Sequence, residues 1–146
     1  MTVNNHITLQ FPSRSVNEGF ARVAVACFAA QLDPTLEEVG DIKTAVSEAV
    51  TNAIVHAYPD EIGKIALKAR ILDGYILEIR IQDWGCGIED VALAKEPLFT
   101  TGGEERSGMG FTIMESFMDT MRVSSRPGRG TTVVLRKKIL QRSGRR

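Results

Sequence analysis

The chain has 146 residues, 43% of them apolar and 25% charged, with eighteen Lys and Arg balanced by eighteen Asp and Glu. That length suits one domain with a buried core, and balanced charge removes the case for bulk nucleic-acid binding, which needs a basic excess to displace counterions. No apolar run approaches the roughly 18 residues of a membrane span, and no charged-then-apolar leader opens the chain, so a cytoplasmic location is the expectation.

His6–Phe11 alternates as a strand should, with Ile7, Leu9 and Phe11 on one face. Ser15-Val-Asn-Glu18 reads as a capping box, followed by a helical apolar stripe of Phe20, Val23, Ala24, Cys27 and Phe28, in which Cys27 is expected to be buried. Asp33-Pro34 signals a second helix, with Asp33 as N-cap and Pro34 at the first helical position. Its inner face carries Ile42, Val46, Ala49, Val50, Ala53 and Ala57, and Tyr58-Pro59 stops it. Lys64–Leu72 and Tyr75–Gln82 then form a hairpin about Asp73-Gly74.

Residues 88–107 lack a clear period, and a connection of that length is commonly a functional lid. Helix resumes over Met109–Met118 with Phe111, Met114, Phe117 and Met118 inward, and two strands follow around Pro127-Gly128. Residues from about 137 to 146 read as a frayed basic tail. The expected fold is α+β in one domain spanning 1–146: a two-layer sandwich, with helices on one face of a mostly antiparallel mixed sheet.

Four short motifs lie at element boundaries. Glu48 and Asn52, four apart, project from one side of their helix. A carboxylate there can take a proton, and an amide oxygen can ligate Mg²⁺, which takes few protein ligands. Asp83, at a strand end before Gly85 and Gly87, can accept a hydrogen bond from an exocyclic amine such as that of adenine, while the glycines allow close backbone approach. Ser107-Gly108-Met109-Gly110 precedes a helix whose amides favour phosphate; Arg106 suits a terminal phosphate, and Thr100 and Thr101 add hydroxyls. Thr131 follows Gly130 at a strand start, where its hydroxyl can reach a base edge or a water. Alone, each has a plain reading as a turn, cap or solvated pair.

Together these stations resemble the Bergerat-fold ATPase superfamily of gyrase B, Hsp90, sensor histidine kinases and MutL. Longer runs are similar to its anti-sigma serine kinases, in the sporulation branch: Phe20-Ala-Arg-Val23, Lys43–Ile54, Pro97-Leu-Phe-Thr-Thr101 and Glu105–Glu115. The lid reads Thr101-Gly-Gly-Glu-Glu-Arg106, shorter and richer in glycine than the family form, and Ala57 stands where Gly is expected. The resemblance implies a kinase using ATP, with ADP as product and Mg²⁺ as cofactor. It implies Glu48 as general base, Asn52 as metal ligand and Asp83 with Gly85 and Gly87 at adenine. Thr100, Thr101, Arg106, Ser107, Gly108, Met109, Gly110, Phe111 and Thr131 would line the rest of the nucleotide site. Arg22, within the Phe-Ala-Arg-Val run, would contact a partner. The implied partners are a sporulation sigma factor of the sigma F type, an anti-anti-sigma factor bearing the substrate serine, and a second copy in a homodimer. A stress-response kinase of the same branch, or a sequestering module without turnover, are the competing readings; a detached histidine-kinase domain is weaker, because no hairpin bears a phospho-acceptor histidine.

Overall fold

Period-two alternation in five segments and helical periodicity in three build two layers. The computed structural model describes residues 1–88, 91 and 110–140. Its elements are β1 (Val3–Pro12), α1 (Val16–Ala29), a 3₁₀ turn (Ala30–Leu32), α2 (Leu36–Asn52) continued by a π-helical turn (Ala53–Ala57), β2 (Lys64–Leu72), β3 (Ile76–Asp83), α3 (Gly110–Phe117), β4 (Thr120–Arg126) and β5 (Gly130–Lys138). The strands form one sheet in the order β1-β2-β3-β5-β4. All four pairings are antiparallel.

Most odd-numbered residues of the central strands, among them Leu67, Ala69, Leu77, Ile79, Ile81 and Leu135, are buried with Ile42, Val46, Ala49 and Val50 of α2 in one core. Each such branched side chain contributes about 1.5–3 kcal/mol when fully buried. This core fixes which side of α2 is left for the flanking polar pair Glu48 and Asn52.

Several local expectations need correction. Ser15 is already helical, at φ −58° and ψ −30°, and its hydroxyl makes no cap bond; Glu18 instead faces Arg22 across 3.5 Å. The buried stripe of α1 is Ala21, Val25, Phe28 and Ala29, while Phe20 and Val23 are 62% and 49% exposed and Cys27 is exposed too. Apolar residues line more than one side of α1, and the small alanines let it approach α2 more closely. Asp33 is not the N-cap of α2, because it ends the 3₁₀ turn in the left-handed region at φ 53°. Thr35 is the cap: its Oγ1 accepts from Glu38 N at 3.1 Å, and Glu38 Oε1 accepts from Thr35 N at 2.9 Å.

The β2–β3 hairpin pairs Leu72 with Ile76, so its loop includes Tyr75, which is left-handed at φ 63°. Phe117 is exposed, whereas Phe111, Met114 and Met118 are buried as expected. The expected tail begins too early, since Lys137 and Lys138 belong to β5, Ile139 is fully buried, and Leu140 N donates to Glu38 Oε2 at 3.1 Å. Residues 141–146 and nearly all of the expected lid lie outside the described residues.

Candidate nucleotide site

The C-terminal end of α2 brings Asn52 beside the start of α3. A Cβ on Gly110 would lie 3.1 Å from both Nδ2 and Oδ1 of Asn52, so the glycine lets the amide keep its place against the start of α3. Glu48, one turn earlier and partly buried, flanks the same face of α2. Two motifs 58 residues apart in sequence thus form one wall.

The end of β3 builds a second wall. Asp83 is buried, and its Oδ1 accepts from Gly85 N at 3.0 Å and from Thr131 N at 3.2 Å. Burial pushes its carboxyl above the usual range, against those two backbone donors, which pull it down. Any Cβ at Gly85 would collide with the Ala57 carbonyl oxygen, and one at Gly87, at φ 76°, with that of Arg126. The glycines therefore serve backbone crossings: Cys86 N donates to Ala57 O at 3.0 Å, and Gly128 N to Cys86 O at 2.7 Å. Thr131 Oγ1 lies 2.8 Å from Ser125 Oγ, which also accepts from Ile88 N at 2.8 Å. A cleft of about 470 Å³ at this end of the sheet has Asp83, Ser125 and Thr131 in its walls together with Gln82, Ser124 and Thr132, which point to the face away from the helices, and it includes neither Glu48, Asn52 nor Gly110.

Two participants had no distinct sequence signal. Tyr58, read only as a helix stop, is buried, and its hydroxyl accepts from Trp84 N and donates to Lys64 O, both at 2.7 Å. Burial raises its phenol above the ordinary value. Ser125 is an unremarked strand serine until the fold sets it between Ile88 and Thr131.

Asn52 and Gly110 are thus brought together, as are Asp83, Gly85 and Thr131. Phe111 places its side chain in the core. Arg22 stands on α1, which bears none of the nucleotide stations. Thr100, Thr101, Arg106, Ser107, Gly108 and Met109 lie outside the described residues. Among the described residues no group of three or more His, Cys, Asp or Glu gathers; a site built on one amide oxygen, phosphate and water has no need of such a group. No helix of the described residues is long and apolar enough to cross a membrane.

Comparison with known proteins agrees with this architecture. Residues 11–137 match the family model of the histidine kinase-like ATPase domain. The anti-sigma F factor of Caldanaerobacter subterraneus subsp. tengcongensis is 59% identical over 140 residues, covering 95% of this chain and 97% of that protein. That of Clostridium acetobutylicum is 51% identical over 138 residues, covering 94% and 96%. Among solved structures, the RsbU and RsbW domains of a Mycobacterium tuberculosis protein share the fold at a TM-score of 0.67 and 18% identity, over 93% of this chain and 32% of that one. The histidine kinase domain from Erythrobacter litoralis EL346 shares it at 0.58 and 23%, over 88% and 62%. With its sheet, its paired walls and relatives alike over almost their whole length, the chain belongs to the histidine kinase-like ATPase family and, within it, to the anti-sigma F factors.

Proposed function

We propose that this chain holds a sigma factor of the sigma F type inactive and, as an ATP-dependent protein-serine kinase, phosphorylates the anti-anti-sigma factor that would release it. The observation that carries the reading is the meeting of Asn52 with Gly110, beside a buried Asp83 anchored to Gly85 and Thr131. The residues present suit a magnesium nucleotide: a lone amide oxygen for a metal that fills its shell with phosphate and water, a carboxylate for an exocyclic amine, and a glycine where a side chain would press on the amide.

When bound, Mg·ATP supplies the phosphoryl group and the charge neutralisation that its transfer needs. Asn52 would hold the metal, Asp83 would select adenine, and Arg106 would sit on the γ-phosphate. Gly85 and Gly87 would admit the base, and Gly108, Met109 and Gly110 would cradle phosphate, with Ser107, Thr100, Thr101, Thr131 and the backbone of Phe111, whose side chain is in the core, completing the site. Glu48 would take the proton from the partner's serine hydroxyl, whose oxygen would receive the γ-phosphoryl group as its bond to the β-phosphate oxygen breaks and ADP leaves. Residues 88–107 serve as the lid, Arg22 meets a protein partner, and the working unit is a homodimer in the cytoplasm, organised as one domain over 1–146. The anti-sigma F naming of relatives more than half identical supports the sigma partner.

The test is transfer of labelled γ-phosphate from Mg·ATP to a sporulation anti-anti-sigma protein, with Glu48→Gln as control. Label on an acceptor serine, abolished in the variant, supports kinase and base together. Tight ATP binding without transfer to that acceptor overturns the kinase assignment for that acceptor and leaves a different partner or a sequestering module.

A further inference from the structure

The face of the sheet away from the helices is basic in a chain whose formal net charge is zero. Strand register sets Thr8, Lys68, Arg80, Val134 and Arg122 in one row across all five strands. The next row holds His6, Arg70, Glu78, Arg136 and Thr120. Glu78 is the one carboxylate among the described residues of this face. Both its oxygens are taken, by Arg70 at 2.7 Å and by Arg136 at 2.7 Å.

Lys68, Arg80 and Arg122 are exposed and have no ion-pair partner among the described residues. Lys68 and Arg80 are directly paired across β2 and β3. Like charges so placed destabilise a sheet. Apart from Glu78, the acids among the described residues lie on other surfaces, so this face carries a positive field of its own.

We infer that this face is a docking surface for an acidic protein segment, distinct from the nucleotide site and from α1. A second copy would not seat on it face to face, because two-fold pairing would set this basic surface against its own basic copy. Its rows offer no exposed Phe, Tyr or Trp for base stacking, and Trp84, just past β3, already has Lys64 Nζ 4.2 Å above its ring. The rows also lack the large exposed apolar side chains that insert into lipid. What the face does offer is guanidinium forks, and Glu78 shows how it grips a carboxylate: each arginine engages one of its oxygens through both Nε and a terminal nitrogen. With strands about 4.8 Å apart, the span from Lys68 to Arg122 is about 14 Å. That matches carboxylates spread over roughly two to three turns of a partner helix. This inference does not depend on the kinase reading.

The experiment is a titration of a fluorescent oligoglutamate peptide with the full chain, followed by anisotropy at low and high salt. A single-stranded oligonucleotide and anionic vesicles serve as rival probes. Salt-sensitive peptide binding should fall at least about tenfold in Lys68→Glu/Arg80→Glu/Arg122→Glu and stay unchanged in Arg14→Glu, with binding of a fluorescent nucleotide retained by both. A triple Gln variant repeats the comparison if charge reversal disturbs folding. No peptide binding by the native chain, equal loss in the Arg14 control, or tighter binding of either rival probe through the same residues overturns the assignment.

Discussion

Replacing Gly110 with Ala separates the fold from the site. Gly110 does not adopt positive φ and begins α3, so alanine costs the backbone nothing and favours helix by up to about 1 kcal/mol. The new methyl would lie 3.1 Å from both terminal atoms of the Asn52 amide and 3.5 Å from its Cγ. The amide must therefore withdraw by a few tenths of an ångström while the rest of the side chain keeps ordinary contact. An amide oxygen drawn back by that much loses its close contact with a bound cation, and about 1.4 kcal/mol, near the low end for a hydrogen bond to a charged group, is roughly a tenfold loss of affinity. Binding of a fluorescent ATP analogue, with and without Mg²⁺, and a thermal melt of the same samples measure both sides. Affinity should fall about tenfold with Mg²⁺ present, with a much smaller difference in EDTA, and Tm should hold or rise by up to about 3 °C. Unchanged affinity would refute the placing of the Asn52 amide at the metal end of a nucleotide. A fall in Tm alongside affinity would show that the methyl disturbs the core instead.

Two further outcomes follow from buried polar groups. Burial alone would raise the Glu78 carboxyl, but its hydrogen bonds and charge pairing with Arg70 and Arg136 more than offset that and hold it below the usual range. A depressed carboxyl stabilises the fold above its unfolded pKa, and that stability is lost as pH falls through the folded value. Glu78→Gln should cost roughly 2 kcal/mol at neutral pH, the partly exposed arginines keeping it modest, or about 4–8 °C in Tm. The gap from wild type should close in acid; a pH-independent gap in melting curves would contradict the pairing. Tyr58→Phe leaves Trp84 N–H and Lys64 C=O without their 2.7 Å partner and should cost about 1–2 kcal/mol. Faster hydrogen exchange at the Trp84 amide is the local sign, and unaltered protection there would dismiss the contact.

Legibility in the sequence followed how strongly each pattern excluded its rivals. The inner face of α2 was readable because Ile42, Val46, Ala49, Val50 and Ala53 leave one apolar side only, and β2 because Lys64–Leu72 is bounded at both ends. The buried side of α1 is not legible because apolar residues line two of its sides, and periodicity cannot say which one α2 covers. The choice went to Ala21 and Val25, where small side chains allow close packing, leaving Phe20 and Val23 in solvent. At Asp33 two capping signals competed two residues apart, and Thr35 prevailed because Glu38 completes its box. The glycines after Asp83 were read as room for a ligand, but Gly85 and Gly87 also make room for the chain's own carbonyls, a tertiary fact without a sequence mark. Tyr58 and Ser125 escaped notice for the same reason, since their partners lie 26 and 37 residues away.

The π-helical turn after α2 has a consequence for measuring length. It delivers the carbonyls of His56 and Ala57 to Cys86, which meets them through its thiol at 3.0 Å and its amide at 3.0 Å. The helix carrying Asn52 and the loop following Asp83 are thereby pinned to each other over a few residues of backbone. Such a brace works as a fixed caliper, with one jaw at the amide and the other at the buried carboxylate. A bound molecule would be gauged by the distance between its two ends, and loosening the brace at Ala57 would blunt recognition at both jaws at once.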